Sequence, residues 1–157
     1  GAGPPEVAGG VPQLDFVTID TESFDLLGAR VTPLRLKHGP WDVLGFRFGD
    51  AAYCTDVKQF PEETLQRLRD LDVLILDCLR HEPHPTHLSV DEALTIVELL
   101  RPRRCYLTHL CHRLDHAAFS RQLPPGVQPA YDGLRIQTEL MPHPDGARKL
   151  SLPSVES

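Results

Sequence analysis

The chain has 157 residues, 41% of them hydrophobic, and a formal net charge of -6. That length suits one domain and that apolar share can fill a core, which excludes wholesale disorder. The acidic balance excludes a general nucleic-acid binder, which carries a basic face; it leaves room for a phosphate substrate, because a bound dication reverses the local field.

No run of 18 or more apolar residues occurs, so no membrane span is expected. No charged n-region followed by an apolar h-region opens the chain, and a cytoplasmic location is expected. The four cysteines, Cys54, Cys78, Cys105 and Cys111, form no C-x-x-C pair. A zinc ribbon or dithiol motif is therefore not indicated, and free buried thiols are expected.

The opening "GAGPPEVAGGVP" is rich in Gly, Pro and Ala. It has no initiator Met and reads as a flexible lead-in or a cut point over 1–13. "LDFVTI" (14–19) alternates apolar and polar residues, as a half-buried strand does. "RVTPLRL" (30–36) does the same, and Pro33 assigns it to an edge or a bulge. "VLGFRFGDAAYCTD" (43–56) is two apolar runs around Gly49-Asp50, a pair suited to a tight hairpin turn. These segments predict an antiparallel meander.

The pattern then changes. "FPEETLQRLRDL" (60–71) predicts a helix with Pro61 at its first position and two glutamates in its first turn. Leu65, Leu68 and Leu71 share one face. "DVLILDC" (72–78) is a continuous apolar run, expected of a central strand covered on both sides. "SVDEALTIVELLRP" (89–102) predicts a helix opened by a Ser89–Glu92 capping box and closed by Pro102. "RCYLTH" (104–109) predicts a buried strand, "DHAAFSRQL" (115–123) a short helix, and "YDGLRIQ" (131–137) a last strand. The stretch 138–157 reads as a loosely ordered tail. The order predicts one mixed sheet with helices on at least one face.

Four polar residues share an address at the end of a predicted strand: His38, Asp56, Asp77 and His109. Ligand sites collect at such ends in α/β sheets. Two imidazoles and two carboxylates form a metal-site composition. Each also has a plainer reading, His38 and His109 as turn residues, Asp56 as a cap and Asp77 as a loop anchor.

"HEPHPTHLSVDEA" (81–93) adds three histidines spaced by three. Pro83 and Pro85 keep the residues before them extended. Histidines three apart would then lie about 9 Å apart, at roughly 3.1 Å per residue. Shared coordination by His81, His84 and His87 is not expected. His87 sits two residues before the Ser89 cap and is pinned at a helix entrance, where general acid–base chemistry needs a fixed imidazole. His112 reads as a substrate contact or a support for a ligand, His116 as solvent-facing, and His143 as uninvolved.

Taken together, "TPLRLKHG", "GFRFGDAAYCTDVKQFPEETLQRLRDLDVLILDCLR", "HPTHLSVDEAL", "YLTHLCHRLDH" and "LPPGVQPAYDGLRI" resemble the C-terminal half of metallo-β-lactamase-fold hydrolases. The branch they are most similar to holds the phosphoribosyl cyclic phosphodiesterase of phosphonate breakdown, near the ribonuclease Z group. The resemblance spans 14–137. It implies an α+β fold, an αβ/βα sandwich of which this chain is one half. It also implies a site for two divalent ions, Zn or Mn.

By that resemblance His38 would ligate one metal, Asp56 would bridge both, and His109 would ligate the second. His87 would protonate the leaving alkoxide. Asp77 and His112, which the resemblance does not assign, are read from their positions alone as supports for ligands or contacts to the substrate. The implied substrate is a small cyclic or nucleotide-like phosphodiester. The family's main metal motif, H-x-H-x-D-H, has no counterpart here. The expected partner is therefore an N-terminal half carrying that motif, and a homodimer is a further expected assembly. Two other readings stand beside this one. The fold could act on an ester, thioester or lactone, or the chain could be a split or degenerate module without catalysis.

Overall fold

Residues 16–138, and the backbone of Arg148–Lys149, are described by the computed structural model. Its strands and helices run β1 (Phe24–Leu26), β2 (Ala29–His38), β3 (Trp41–Phe48), β4 (Ala51–Cys54), α1 (Glu62–Arg67), β5 (Val73–Asp77), α2 (Val90–Leu100), β6 (Arg104–Thr108), α3 (His116–Gln122), β7 (Val127–Pro129) and β8 (Arg148–Lys149). They build one mixed sheet in the order β7-β6-β5-β4-β3-β2-β1-β8. The first four strands are antiparallel neighbours. From β4 onward the pairs β4–β5, β5–β6 and β6–β7 are parallel, so their connections cross over through α1, α2 and α3. No helix among the described residues is long and apolar enough to cross a membrane.

Local chemistry accounts for most of these elements. Gly49-Asp50 is a two-residue turn, with Phe48 paired to Ala51. Gly49 takes a positive φ of 58° and Asp50 does not, the pattern of a II′ hairpin turn. The α2 entrance is a complete capping box. The Ser89 hydroxyl accepts from the Glu92 amide, and Glu92 Oε2 accepts from the Ser89 amide at 2.8 Å. The helix stops where Arg101 turns left-handed, one residue before Pro102.

Strand alternation sorts the core. Leu74 and Leu76 of β5, Cys105 and Leu107 of β6, and Ala52 and Cys54 of β4 point to one side, where they meet Leu68, Ala93, Leu100 and Phe119. All three helices therefore cover the same face. Burying leucines such as Leu68, Leu74, Leu76 and Leu107 contributes roughly 1.5–3 kcal/mol each. Val73, Ile75 and Tyr106 point the other way, where, among the described residues, Ala130, Leu134 and Ile136 pack with them.

Four expectations need correction. Residues 16–20 hold no strand, and positions 14 and 15 of the expected strand lie outside the described residues. The first strand is Phe24–Leu26 instead. Leu27 and Gly28, both at positive φ, turn the chain so that this strand pairs with β2. Alternation alone does not make a strand without a neighbour to bond.

Pro33 lies inside the sheet, opposite Phe46, and not on an outer strand. The ladder to β1 stops at Val31, and among the described residues that side of β2 is bonded again only at Lys37, through Gln59, so the missing N–H of Pro33 breaks no ladder bond. Pro61 is the residue before α1, with ψ at 147°, and not its first helical position.

No strand spans 131–137, and the strand that follows α3 is Val127–Pro129, parallel to β6. Asp132 and Gly133 make a turn, and Leu134 and Ile136 then use their alternation to pack on the sheet face. The lead-in 1–13 lies outside the described residues, as does most of the stretch expected to be a loose tail. Within that stretch Arg148–Lys149 pair in parallel with β1.

Candidate metal centre

The ends of β2, β4, β5 and β6 converge at one edge of the sheet. Asp56 follows β4, Asp77 ends β5, and His109 follows β6. His87 comes from the loop between β5 and α2. One ligand atom from each of Asp56, Asp77, His87 and His109 lies within 4.8 Å of every other. His109 Nε2 stands 3.6 Å from Asp56 Oδ1, and His87 Nδ1 stands 3.9 Å from the same oxygen. His38 lies outside this group of four, with its ring centroid 4.6 Å from that of His87.

Two members are held in uncommon backbone geometry. Asp56 and His109 take φ of 55° and 60°, a region that non-glycine residues seldom occupy. Such geometry persists only where surrounding contacts over-determine it. Those contacts are visible at Asp56. Lys58 donates its amide to the Lys37 carbonyl at 2.6 Å, and Lys37 donates to the Gln59 carbonyl at 3.0 Å. The Asp56 loop is thereby bonded to the last turns of β2, just before His38.

The histidine loop is closed at its base. Leu79 donates to the Leu88 carbonyl and Val90 to the Arg80 carbonyl, each at 2.9 Å. Between these bonds the chain bends at 85–87. That bend corrects the expectation that the extended segment keeps its histidines apart. The rings of His84 and His87 lie 5.1 Å apart, while His81 turns away to meet Phe119 edge-on. The bend therefore brings His84 beside His87. His112 is exposed and stands outside the four-residue group.

The second contacts orient the rings. His38 Nδ1 lies 2.9 Å from the Thr86 carbonyl. A carbonyl can only accept, so Nδ1 carries the proton and Nε2 keeps a lone pair for a ligand. His87 Nδ1 lies 3.2 Å from Asp77 Oδ2, which also accepts the Leu88 amide at 3.1 Å. The other oxygen, Asp77 Oδ1, is buried and has no hydrogen-bond partner among the described residues. Burial pushes the Asp77 carboxyl up from its ordinary range, against the Leu88 amide and the charges of His87 and His109.

An unpaired buried carboxylate oxygen is costly unless a cation compensates it. Two carboxylates and two imidazoles within one small volume fit a divalent ion, and an adjacent imidazole with a free Nε2 extends the donor set. Thr86 and Gly39 gave no signal in the sequence. Only their packing against His38 and against each other reveals them.

Comparison with known proteins adds the following. Residues 2–110 match the Beta-lactamase superfamily domain. A diphosphatase from the PhnP family has a solved structure that is 43% identical, with a TM-score of 0.78, covering 80% of this chain and 49% of that one. The short form of human tRNase Z matches with a TM-score of 0.59 at 20% identity, over 76% of this chain and 48% of that one. An octanoyltransferase of Porphyromonas gingivalis is 30% identical over 128 residues, which make up 80% of this chain and 26% of that protein. This chain therefore spans half or less of the length of these relatives.

Proposed function

Since this chain belongs to the Beta-lactamase superfamily domain family and has the metallo-β-lactamase fold, we propose that it contributes one half of a metal-dependent phosphodiesterase site. The observation that carries the reading is the convergence of Asp56, Asp77, His87 and His109 within 4.8 Å. Phosphorus chemistry is supported by the 43% identity to a diphosphatase.

His38, Asp56 and His109 would hold two divalent ions, Zn or Mn, together with an H-x-H-x-D-H segment from an N-terminal half of the same fold. Ions held there supply Lewis acidity and a water of lowered pKa. The remaining chemistry belongs to the chain. Asp77 holds His87 by Nδ1, which leaves Nε2 to deliver a proton to the departing oxygen. Thr86 fixes the ring of His38 through its carbonyl. The bonded loop bases at Leu79–Leu88 and Lys37–Gln59 keep these groups from drifting apart.

A second reading has a specific support. The relative at 43% identity is a diphosphatase, so the bond broken could be a phosphoanhydride and not a phosphodiester. The residues would act alike on either bond.

The test uses the intact protein with Zn or Mn supplied and a panel of one phosphodiester, one diphosphate and one carboxylic ester. Turnover of a phosphorus substrate that chelation abolishes is the expected result. Ester turnover alone would overturn the phosphorus reading. His87→Ala should lower kcat by about 10²–10⁴ with bound metal retained. Loss of metal from that variant would make His87 a ligand and sink the acid role. His109→Ala and Asp56→Ala should lose metal.

A further inference from the structure

A groove of about 330 Å³ opens beside His109, lined by Thr108, His109, Leu110, Ala130, Tyr131 and Asp132. Its walls come from two places in the chain, the end of β6 and the turn after β7. They are tied together at the base, where Ala130 donates its amide to the Leu107 carbonyl at 2.8 Å. The far side of the turn is held as well. Leu134 donates to the Tyr131 carbonyl at 3.1 Å, and Leu134 and Ile136 anchor on the sheet face beside Tyr106.

Tyr131 is thus fixed by its backbone while the residue stays 58% exposed. The ring meets that of His116 nearly at right angles (81°), with centroids 6.3 Å apart. A large aromatic left in water on a pinned turn is costly to hold and gains most from a flat partner. The same groove is lined by His109, a member of the candidate metal group. Whatever organic group hangs from a phosphorus held at that group has this groove as its neighbour. Asp132 adds an exposed carboxylate, which accepts hydrogen bonds from hydroxyl or amino groups and repels acids.

We propose that the groove between His109 and Tyr131 receives the nucleoside part of a nucleotide-type substrate, its base stacked on the Tyr131 ring. The proposal rests on the phosphodiesterase reading above for the position of phosphorus. A base is the flat group that such a ring takes without needing sequence-specific hydrogen bonds, and ribose supplies the hydroxyls that Asp132 can accept. A bare sugar phosphate would leave the ring unused.

The experiment compares adenosine 2′,3′-cyclic phosphate with the base-free ribose 2′,3′-cyclic phosphate on the intact, metal-loaded protein. The wild type should prefer the nucleotide in kcat/KM. Tyr131→Ala should cut that preference about tenfold, and Tyr131→Phe should keep it, because stacking does not need the hydroxyl. A wild type without preference overturns the proposal, and so does a Tyr131→Ala variant whose preference is unchanged. If neither ester is hydrolysed, the phosphodiesterase reading fails, and calorimetric binding of adenosine monophosphate judges the groove alone. Binding weakened about tenfold in Tyr131→Ala and kept in Tyr131→Phe supports the groove. Equal binding by all three proteins, or no binding by the wild type, overturns it.

Discussion

Lys58 Nζ stands 2.6 Å from Glu92 Oε1, and through this pair the loop carrying Asp56 is tied to the helix entrance carrying His87. Lys58 lies two residues after Asp56 and bonds to β2 through its amide. Glu92 closes the capping box with its other oxygen, five residues after His87. One carboxylate therefore serves both a helix end and a bridge between two site loops.

This arrangement predicts a split between stability and site geometry. Glu92→Ala should cost about 1 kcal/mol, the usual magnitude for a lost helix cap plus a partly exposed ion pair. Metal retention and turnover should fall by more than that loss of stability explains. Burial alone would raise the Glu92 carboxyl, but Lys58 and the Ser89 cap outweigh it and hold it below its ordinary value of 4.5. A depressed carboxyl stabilises the fold above its unfolded pKa, and that stability fades as pH falls through the folded value. The wild type should therefore lose stability below about pH 4.5, and Glu92→Gln should flatten that acid limb. Denaturant midpoints from pH 3 to 7 would check it, and parallel curves for the two proteins would refute the role assigned to Lys58.

Gly39 gives a second prediction, on the support of His38. A methyl group there would come 2.7 Å from Thr86 Cγ2, and the residue already sits at a φ of 61°. Thr86 is the residue whose carbonyl holds His38 Nδ1. Gly39→Ala should destabilise by roughly 1–3 kcal/mol through strain at positive φ and displace Thr86 from the ring. Thermal denaturation would read the first effect, and metal content of the folded protein the second. An unchanged metal content would show that His38 does not depend on Thr86.

The thiols supply a third. Burial pushes the Cys54, Cys78 and Cys105 thiols up to about 12, so almost no thiolate is present near neutral pH. Cys111 is the partly exposed one. Iodoacetamide at pH 8, read by peptide mass, should label Cys111 first. The other three should react only once the protein unfolds. Early labelling of Cys78 would mean that the β5 end opens in the native state.

Much of this was legible along the chain. The capping box at Ser89, the hairpin at Gly49-Asp50 and the apolar runs of β5 and β6 follow from contacts within a few residues, where composition decides geometry. The strand-end address of His38, Asp56, Asp77 and His109 is legible for the same reason, because a strand's end is a local event.

The tertiary structure decided what depends on partners far apart in sequence. Pro33 is tolerated inside the sheet because β1 stops at Val31. The 131–137 segment packs on a sheet face instead of joining the ladder, since alternation serves either purpose. His84 approaches His87 because hydrogen bonds at Leu79 and Val90 close the loop around a bend. Asp77 becomes the buried anchor of His87 only when the loop after β5 folds back over the strand end. Distances between side chains on different strands are set by sheet register and loop closure, and neither is a property of any short stretch of sequence.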